Sequence, residues 1–117
     1  MYLIGTNDDT TFPAKPGIKL AGTGSLLASI QATTNIKMKI CGKPHKILFD
    51  LIKNKHGDKI NVNKCLMVGD RINTDIQFGL NSGMKTALVL TGITNEKGLK
   101  ESNVKPHFVL NSIKDLA

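Results

Sequence analysis

Three short, largely apolar runs, Cys65-Leu66-Met67-Val68, Thr86-Ala87-Leu88-Val89-Leu90 and His107-Phe108-Val109-Leu110, punctuate the second half of the chain. The first two lack the polar alternation of a half-solvated strand. Each therefore predicts a strand covered on both faces, the usual condition of parallel strands flanked by helices. Gly69-Asp70 closes the first run and Thr91-Gly92 the second. Between them, Asn73-Thr74-Asp75 reads as the cap of a helix through Phe78 and Leu80 that stops at Ser82-Gly83. Glu96 to Glu101 predicts a short helix, and Ser112 caps a last helical turn. Strand, helix, strand, helix, strand with short loops predicts an α/β fold on a parallel sheet with helical crossovers. Ligands of such sheets gather at the carboxyl ends of the strands, which directs attention to the residues after Val68 and Leu90.

Upstream, Tyr2 to Gly5 predicts a strand that runs into a polar loop, Thr6-Asn7-Asp8-Asp9-Thr10-Thr11, followed by Phe12-Pro13. After Pro16-Gly17, Leu26, Leu27, Ala28, Ile30 and Ala32 predict a helix opened by Gly24-Ser25, with Ser25 as its cap and its end near Thr34-Asn35. Lys37 to Cys41 alternates polar and apolar and predicts a half-buried strand, broken by Gly42-Lys43-Pro44, with Pro44 placed to start a helix. Ile47, Leu48, Leu51 and Ile52 give that helix its apolar spacing, and Gly57 after His56 stops it.

At 117 residues, 40% hydrophobic and 21% charged, the chain has room for a core and is neither disordered nor low in complexity. No apolar run nears the roughly 20 residues needed to span a bilayer, and no secretory leader is visible, so a cytoplasmic location without a membrane partner is expected. Cys41 and Cys65 form neither a CxxC pair nor a Cys/His metal spacing, and both read as buried thiols. The net charge of +7 raises acidic partners or nucleic acid. Fifteen of the 16 basic residues are Lys, however, and only Arg71 supplies the guanidinium fork most used to read guanine. The dense Lys53 to Lys64 stretch, interleaved with Asn, Gly and Asp, reads as a solvated helix end and loop. No nucleic-acid partner is expected on this reading, while a positive field suits a phosphate ester. A small basic module that binds an acidic partner or nucleic acid is the alternative function.

Asp70 follows the first apolar run directly, and Asp75 lies five residues on, in the first turn of the next predicted helix. Two carboxylates at one sheet edge make an oxygen-only site of the kind Mg²⁺ takes. Both also suit structural roles, since a helix N-terminus favours an acidic residue and Asp commonly ends a strand. Lys43, between Gly42 and Pro44 at a strand end, could bring its ammonium over the same edge. There a cation beside metal-bound carboxylates would neutralise a phosphoryl group in transfer; a solvated lysine is the other reading. Gly22-Thr23-Gly24 has Leu27 where a dinucleotide fingerprint needs its third glycine, and Gly42-Lys43 lacks the rest of a P-loop. His45, His56 and His107 show no metal-ligand spacing.

Taken together, these segments carry a family resemblance. Gly69-Asp70-Arg71-Ile72-Asn73-Thr74-Asp75-Ile76 resembles the fourth motif of the haloacid dehalogenase-like phosphatases, in the variant with four residues between the aspartates. Gly42-Lys43-Pro44 resembles the third-motif segment of their p-nitrophenyl, phosphoglycolate and pyridoxal phosphatase branch. Thr6-Asn7-Asp8-Asp9, Gly22-Thr23-Gly24-Ser25 and Leu88-Val89-Leu90-Thr91-Gly92 are similar to further segments of that branch, so the likeness covers nearly the whole chain. The resemblance implies a Mg²⁺-dependent phosphomonoesterase that works through an aspartyl-phosphate on a small phosphorylated metabolite such as phosphoglycolate. It also implies a Rossmann-like core with a separate α/β cap, residues 1–40 being the end of the cap and 41–117 the last part of the core. By the same analogy Asp70 holds the metal, Asp75 supports metal and loop, Lys43 binds the phosphate and Asn73 shapes the pocket. Asn7 and Phe12 join the substrate-binding residues, at a segment, Asp8 to Pro13, that is similar to the cap loop touching the leaving group. Pyridoxal phosphatases carry a His where this chain has Phe12, which points away from that substrate, and Asp8 stands where the branch usually has Pro.

The family's DxD segment, which supplies nucleophile and general acid/base, does not occur. Asp8-Asp9 leads into a polar loop, and none of Asp50, Asp58 and Asp115 belongs to a DxD. The chain thus resembles the C-terminal half of a phosphatase and is expected to be inactive alone. In the family the nucleophile strand lies beside the Cys65 to Val68 strand, so an unpaired apolar edge is expected here, and with it self-association, a homodimer included.

Overall fold

The computed structural model of the chain describes residues 2–116. In the stretch before residue 43, β1 (Leu3–Gly5) pairs in parallel with β4 (Met38–Ile40), Leu3 opposite Met38 and Gly5 opposite Ile40. Between these strands come β2 (Thr11–Lys15), β3 (Ile18–Ala21) and α1 (Thr23–Thr34). Leu27 from α1 and Ile40 from β4 are buried over Gly5, where any Cβ would collide with both side chains. A helix crossing between two parallel strands and burying one stripe of apolar residues is the arrangement that their pairing requires. The helix ends at Asn35, in the left-handed region at φ 55°, whose N–H donates to the carbonyl of Gln31. β2 and β3 form an antiparallel hairpin turned at Pro16-Gly17, with Gly17 at φ 79°.

Residues 43–117 form the second of two compact units; the first is 1–42. In the second, α2 (Ile47–His56) stops at Gly57, which takes φ 55° as a glycine readily does. After two short 3₁₀ turns come β5 (Leu66–Gly69), a wide turn at Ile72–Ile76, α3 (Gln77–Asn81), β6 (Lys85–Val89), α4 (Glu96–Glu101) and β7 (Phe108–Leu110). The three strands form a parallel sheet in the order β5-β6-β7, with Val68 opposite Ala87 and Ala87 opposite Phe108. Two apolar clusters hold it: Phe49, Phe78 and Met84 in one, Ile72, Ile76 and Leu88 in the other. Ile76 and Leu88 have no solvent exposure, and full burial of a side chain of that size contributes about 1.5–3 kcal/mol.

The predicted mixed α/β architecture with parallel strands is therefore present, and several local expectations change. The hairpin of β2 and β3 stands where a loop was expected. Ser25 does not cap α1: Gly22 is at that position, and the Ser25 hydroxyl donates to the carbonyl of Thr10 instead. Pro44 does not open α2, which begins at Ile47; it follows a cis peptide bond, and its carbonyl accepts from the Asn81 amide. Only β6 is covered as predicted for both strands. Among the described residues β5 pairs with β6 alone, and Leu66 stays 40% exposed. Cys41 and Cys65 are free thiols, half-buried rather than buried. Among the described residues no helix is long and apolar enough to cross a membrane.

Candidate functional site

Asp75 is 5% exposed, and both of its carboxylate oxygens are engaged. Lys43 Nζ donates to Oδ1 at 2.5 Å, while the backbone N–H groups of Asp70 and Arg71 donate to Oδ2 at 3.2 and 3.1 Å. Local backbone geometry makes this convergence happen. In the turn Ile72–Ile76 the N–H of Ile76 reaches back five residues to the carbonyl of Arg71, and that of Gln77 to Ile72, one residue more than an α-helix allows. The turn carries Asp75 back to the end of β5. Gly69 leaves the room, because a Cβ there would overlap the Asp75 carboxylate. The predicted cap at Asn73-Thr74-Asp75 is thus corrected: Arg71 precedes the turn without a side-chain cap bond, and Asp75 supplies the acceptor from within.

Asp70, directly after β5, is half-buried. Its Oδ2 accepts the N–H of Ile93 at 2.7 Å, and its backbone carbonyl accepts the N–H of Thr94 at 3.0 Å. The loop after β6 therefore closes over the end of β5. Lys43, Asp70 and Asp75 form one bonded group, with the Lys43 side chain 45% exposed against 7% for Asp75. Asn73 is exposed on the wide turn.

Asn7 and Phe12 belong to the first unit. Asn7 accepts from the Thr6 hydroxyl and donates to Asp9, and Phe12, on β2, is 49% exposed. The glycines of Gly22-Thr23-Gly24 are explained here by close approach. The backbone of Asp8 and Asp9 lies where their Cβ atoms would be, and Gly24 N–H donates to the Asp9 carbonyl at 2.9 Å.

Among the described residues no three His, Cys, Asp or Glu side chains gather in a way that could hold a metal ion unaided. Asp75 accepts from a cation at Oδ1 and from two N–H groups at Oδ2, an arrangement that ties the loop to Lys43. Asp70 uses Oδ2 for Ile93 and offers Oδ1. One such carboxylate oxygen fits Mg²⁺, which binds through one or two protein carboxylates and completes its octahedron with water and substrate phosphate oxygens. Sequence reasoning gave Gly69 no part in making room for Asp75, and it missed Ile93 and Thr94. The last two act through backbone N–H groups, which leave no side-chain signature, and only the glycines beside the strand ends hinted at the crowding.

The profile of the HAD-hydrolase-like family matches residues 40–116. Glycerol-3-phosphate phosphatase of Homo sapiens is 37% identical over 123 residues, covering 97% of this chain and 38% of that protein. The chloroplastic phosphoglycolate phosphatase 1A of Arabidopsis thaliana is 36% identical, covering 96% and 31%. The crystal structure of 4-nitrophenylphosphatase from Thermotoga maritima superposes with a TM-score of 0.86 at 37% identity, covering 98% of this chain and 43% of that one. The chain spans less than half the length of the curated relatives it matches. With the family profile running through the segments of Lys43, Asp70 and Asp75, the chain belongs to the HAD-hydrolase-like family.

Proposed function

We propose that the chain is the C-terminal part of a cytoplasmic phosphatase that hydrolyses small phosphomonoesters with Mg²⁺ through an aspartyl-phosphate. Its relatives are named for glycerol 3-phosphate, phosphoglycolate and p-nitrophenyl phosphate, and the substrate is a metabolite of that class. The observation that carries the reading is the bonded group at the end of β5: Lys43 held by buried Asp75, next to Asp70. Lys43 keeps nearly half of its side chain in solvent, so its ammonium can meet a phosphoryl oxygen while Asp75 fixes its direction. A fixed cation aimed at developing charge stabilises a phosphoryl transition state without reorganising in the step. Asp70 would hold Mg²⁺, and the ion, when bound, supplies positive charge against the phosphate oxygens. Asn73, exposed on the wide turn, borders the phosphate pocket, while residues 1–40 form the end of a cap that contributes Asn7 and Phe12 to substrate binding. The nucleophile and its acid/base partner come from outside these 117 residues, so the chain alone is inactive.

The test is hydrolysis of p-nitrophenyl phosphate with and without Mg²⁺, by this chain and by a version extended upstream through any DxD segment that its gene encodes. Mg²⁺-dependent turnover is expected in the extended protein alone and is expected to vanish with Asp70→Asn. Turnover by the 117-residue chain would overturn the half-enzyme reading. Unchanged turnover with Asp70→Asn would overturn the metal role of Asp70.

A further inference from the structure

We propose that Gly92 and the backbone N–H of Ile93 are positioning groups for Asp70, setting the rotamer that leaves Oδ1 open to a divalent cation. The inference rests on the reading of Asp70 as the metal-holding carboxylate and adds to it the residues that aim the ligand. Three observations meet at one place. Ile93 N–H donates to Asp70 Oδ2 at 2.7 Å. Thr94 N–H donates to the Asp70 carbonyl at 3.0 Å, so backbone and side chain of one residue are gripped by consecutive amides. A Cβ built on Gly92 would fall inside 3.0 Å of Oδ2, Cγ and Cβ of Asp70.

That last distance separates Gly92 from an ordinary loop glycine. Its φ is not in the left-handed region, so the backbone there is open to any residue and glycine is required only for room. The Asp70 carboxylate occupies the volume that a side chain would fill. Any larger residue must push either the loop or the carboxylate away, and with it the 2.7 Å bond. A metal ligand whose second oxygen is fixed by a hydrogen bond presents the first in one direction, and loss of such an outer partner typically weakens metal binding about ten- to a hundredfold. Gly98 provides the contrast: a Cβ there meets only ordinary contacts, with Thr94 and Asn95.

The test is an NMR titration of the chain with Mn²⁺, whose unpaired electrons broaden nearby amide signals whether or not the chain turns over substrate. In the native sequence, Mn²⁺ is expected to broaden the amides of Gly69, Asp70, Arg71 and Ile93 selectively. Gly92→Ala is expected to raise the Mn²⁺ concentration for half-broadening by about tenfold or more, while Gly98→Ala follows the native curve. Ile93→Pro deletes the N–H and sets its ring Cδ against Oδ2, so it too is expected to raise the midpoint, which keeps the test open should Gly92→Ala unfold. A native midpoint in Gly92→Ala, or in Ile93→Pro where Gly92→Ala unfolds, overturns the positioning role. If Asp70→Asn also keeps the native midpoint, or the native chain shows no selective broadening, the metal reading falls with it. If Asp70→Asn alone is impaired, only the positioning role is lost.

Discussion

Replacing Lys43 by Met keeps an unbranched apolar stem but removes the terminal ammonium, with its charge and its N–H donors. The two ends of the Lys43–Asp75 bond sit in different surroundings, 45% exposed for the lysine side chain and 7% for the aspartate. Loss of Lys43 therefore leaves a buried carboxylate with two backbone N–H donors as its only compensation. An uncompensated buried charge costs about 3–5 kcal/mol, and the two remaining bonds offset part of this, so roughly 2 kcal/mol of destabilisation is expected. Asp75→Asn is milder, about 1 kcal/mol, because the amide oxygen can still accept from Asp70 and Arg71 while Lys43 returns to water. Once Asp75 is neutral, Lys43→Met has almost nothing left to disrupt. The double-mutant cycle should then show a coupling of about 2 kcal/mol, well outside the ~0.5 kcal/mol scatter of independent sites. Urea unfolding of the four proteins, followed by circular dichroism, measures it. Raising the salt to about 1 M should reduce the coupling only in part, since screening acts on the exposed end. Additive effects would refute the reasoning, for they would mean that Lys43 and Asp75 are not held together in solution.

Thr86 has no solvent exposure, and its hydroxyl oxygen accepts the N–H of His107 at 3.1 Å. Thr86→Val keeps the shape and strands that donor, so a loss of about 1–3 kcal/mol is expected in the same unfolding assay, and an unchanged midpoint would dismiss the bond. Leu66 is 40% exposed on β5, which among the described residues pairs with β6 alone, and is expected to favour association through that strand. Leu66→Lys should lower the sedimentation-derived mass toward that of a monomer; no change would show that association, if any, uses another face.

The second half of the chain was legible because its signals are strong and local. Continuous apolar runs mark β5, β6 and β7, and the sequence predicts over Glu96–Glu101 the helix that α4 is. Gly57 announces the end of α2 because glycine enters φ 55° with ψ −136° at little cost. The hairpin was missed for a physical reason: Ile18 and Leu20 are 49% and 46% exposed, so no buried face imposed a readable alternation on it. Helix starts were misplaced where a backbone carbonyl or a later side chain does the capping. At the site, Lys43, Asp70 and Asp75 could be named from spacing and resemblance. Their division of labour could not, because it depends on which oxygen faces Lys43 and which faces two amides.

The wide turn at Ile72–Ile76 makes the interval between the two aspartates a fixed length. Each residue of a helix rotates its successors by about 100°, so removing one residue between Arg71 and Asp75 would let the turn relax to α geometry and swing the carboxylate off the axis that points at Lys43. Inserting one would swing it the other way. Insertions and deletions are tolerated in most surface loops, yet here a change of a single residue in length would separate Lys43 from its anchor without altering any side chain at the site.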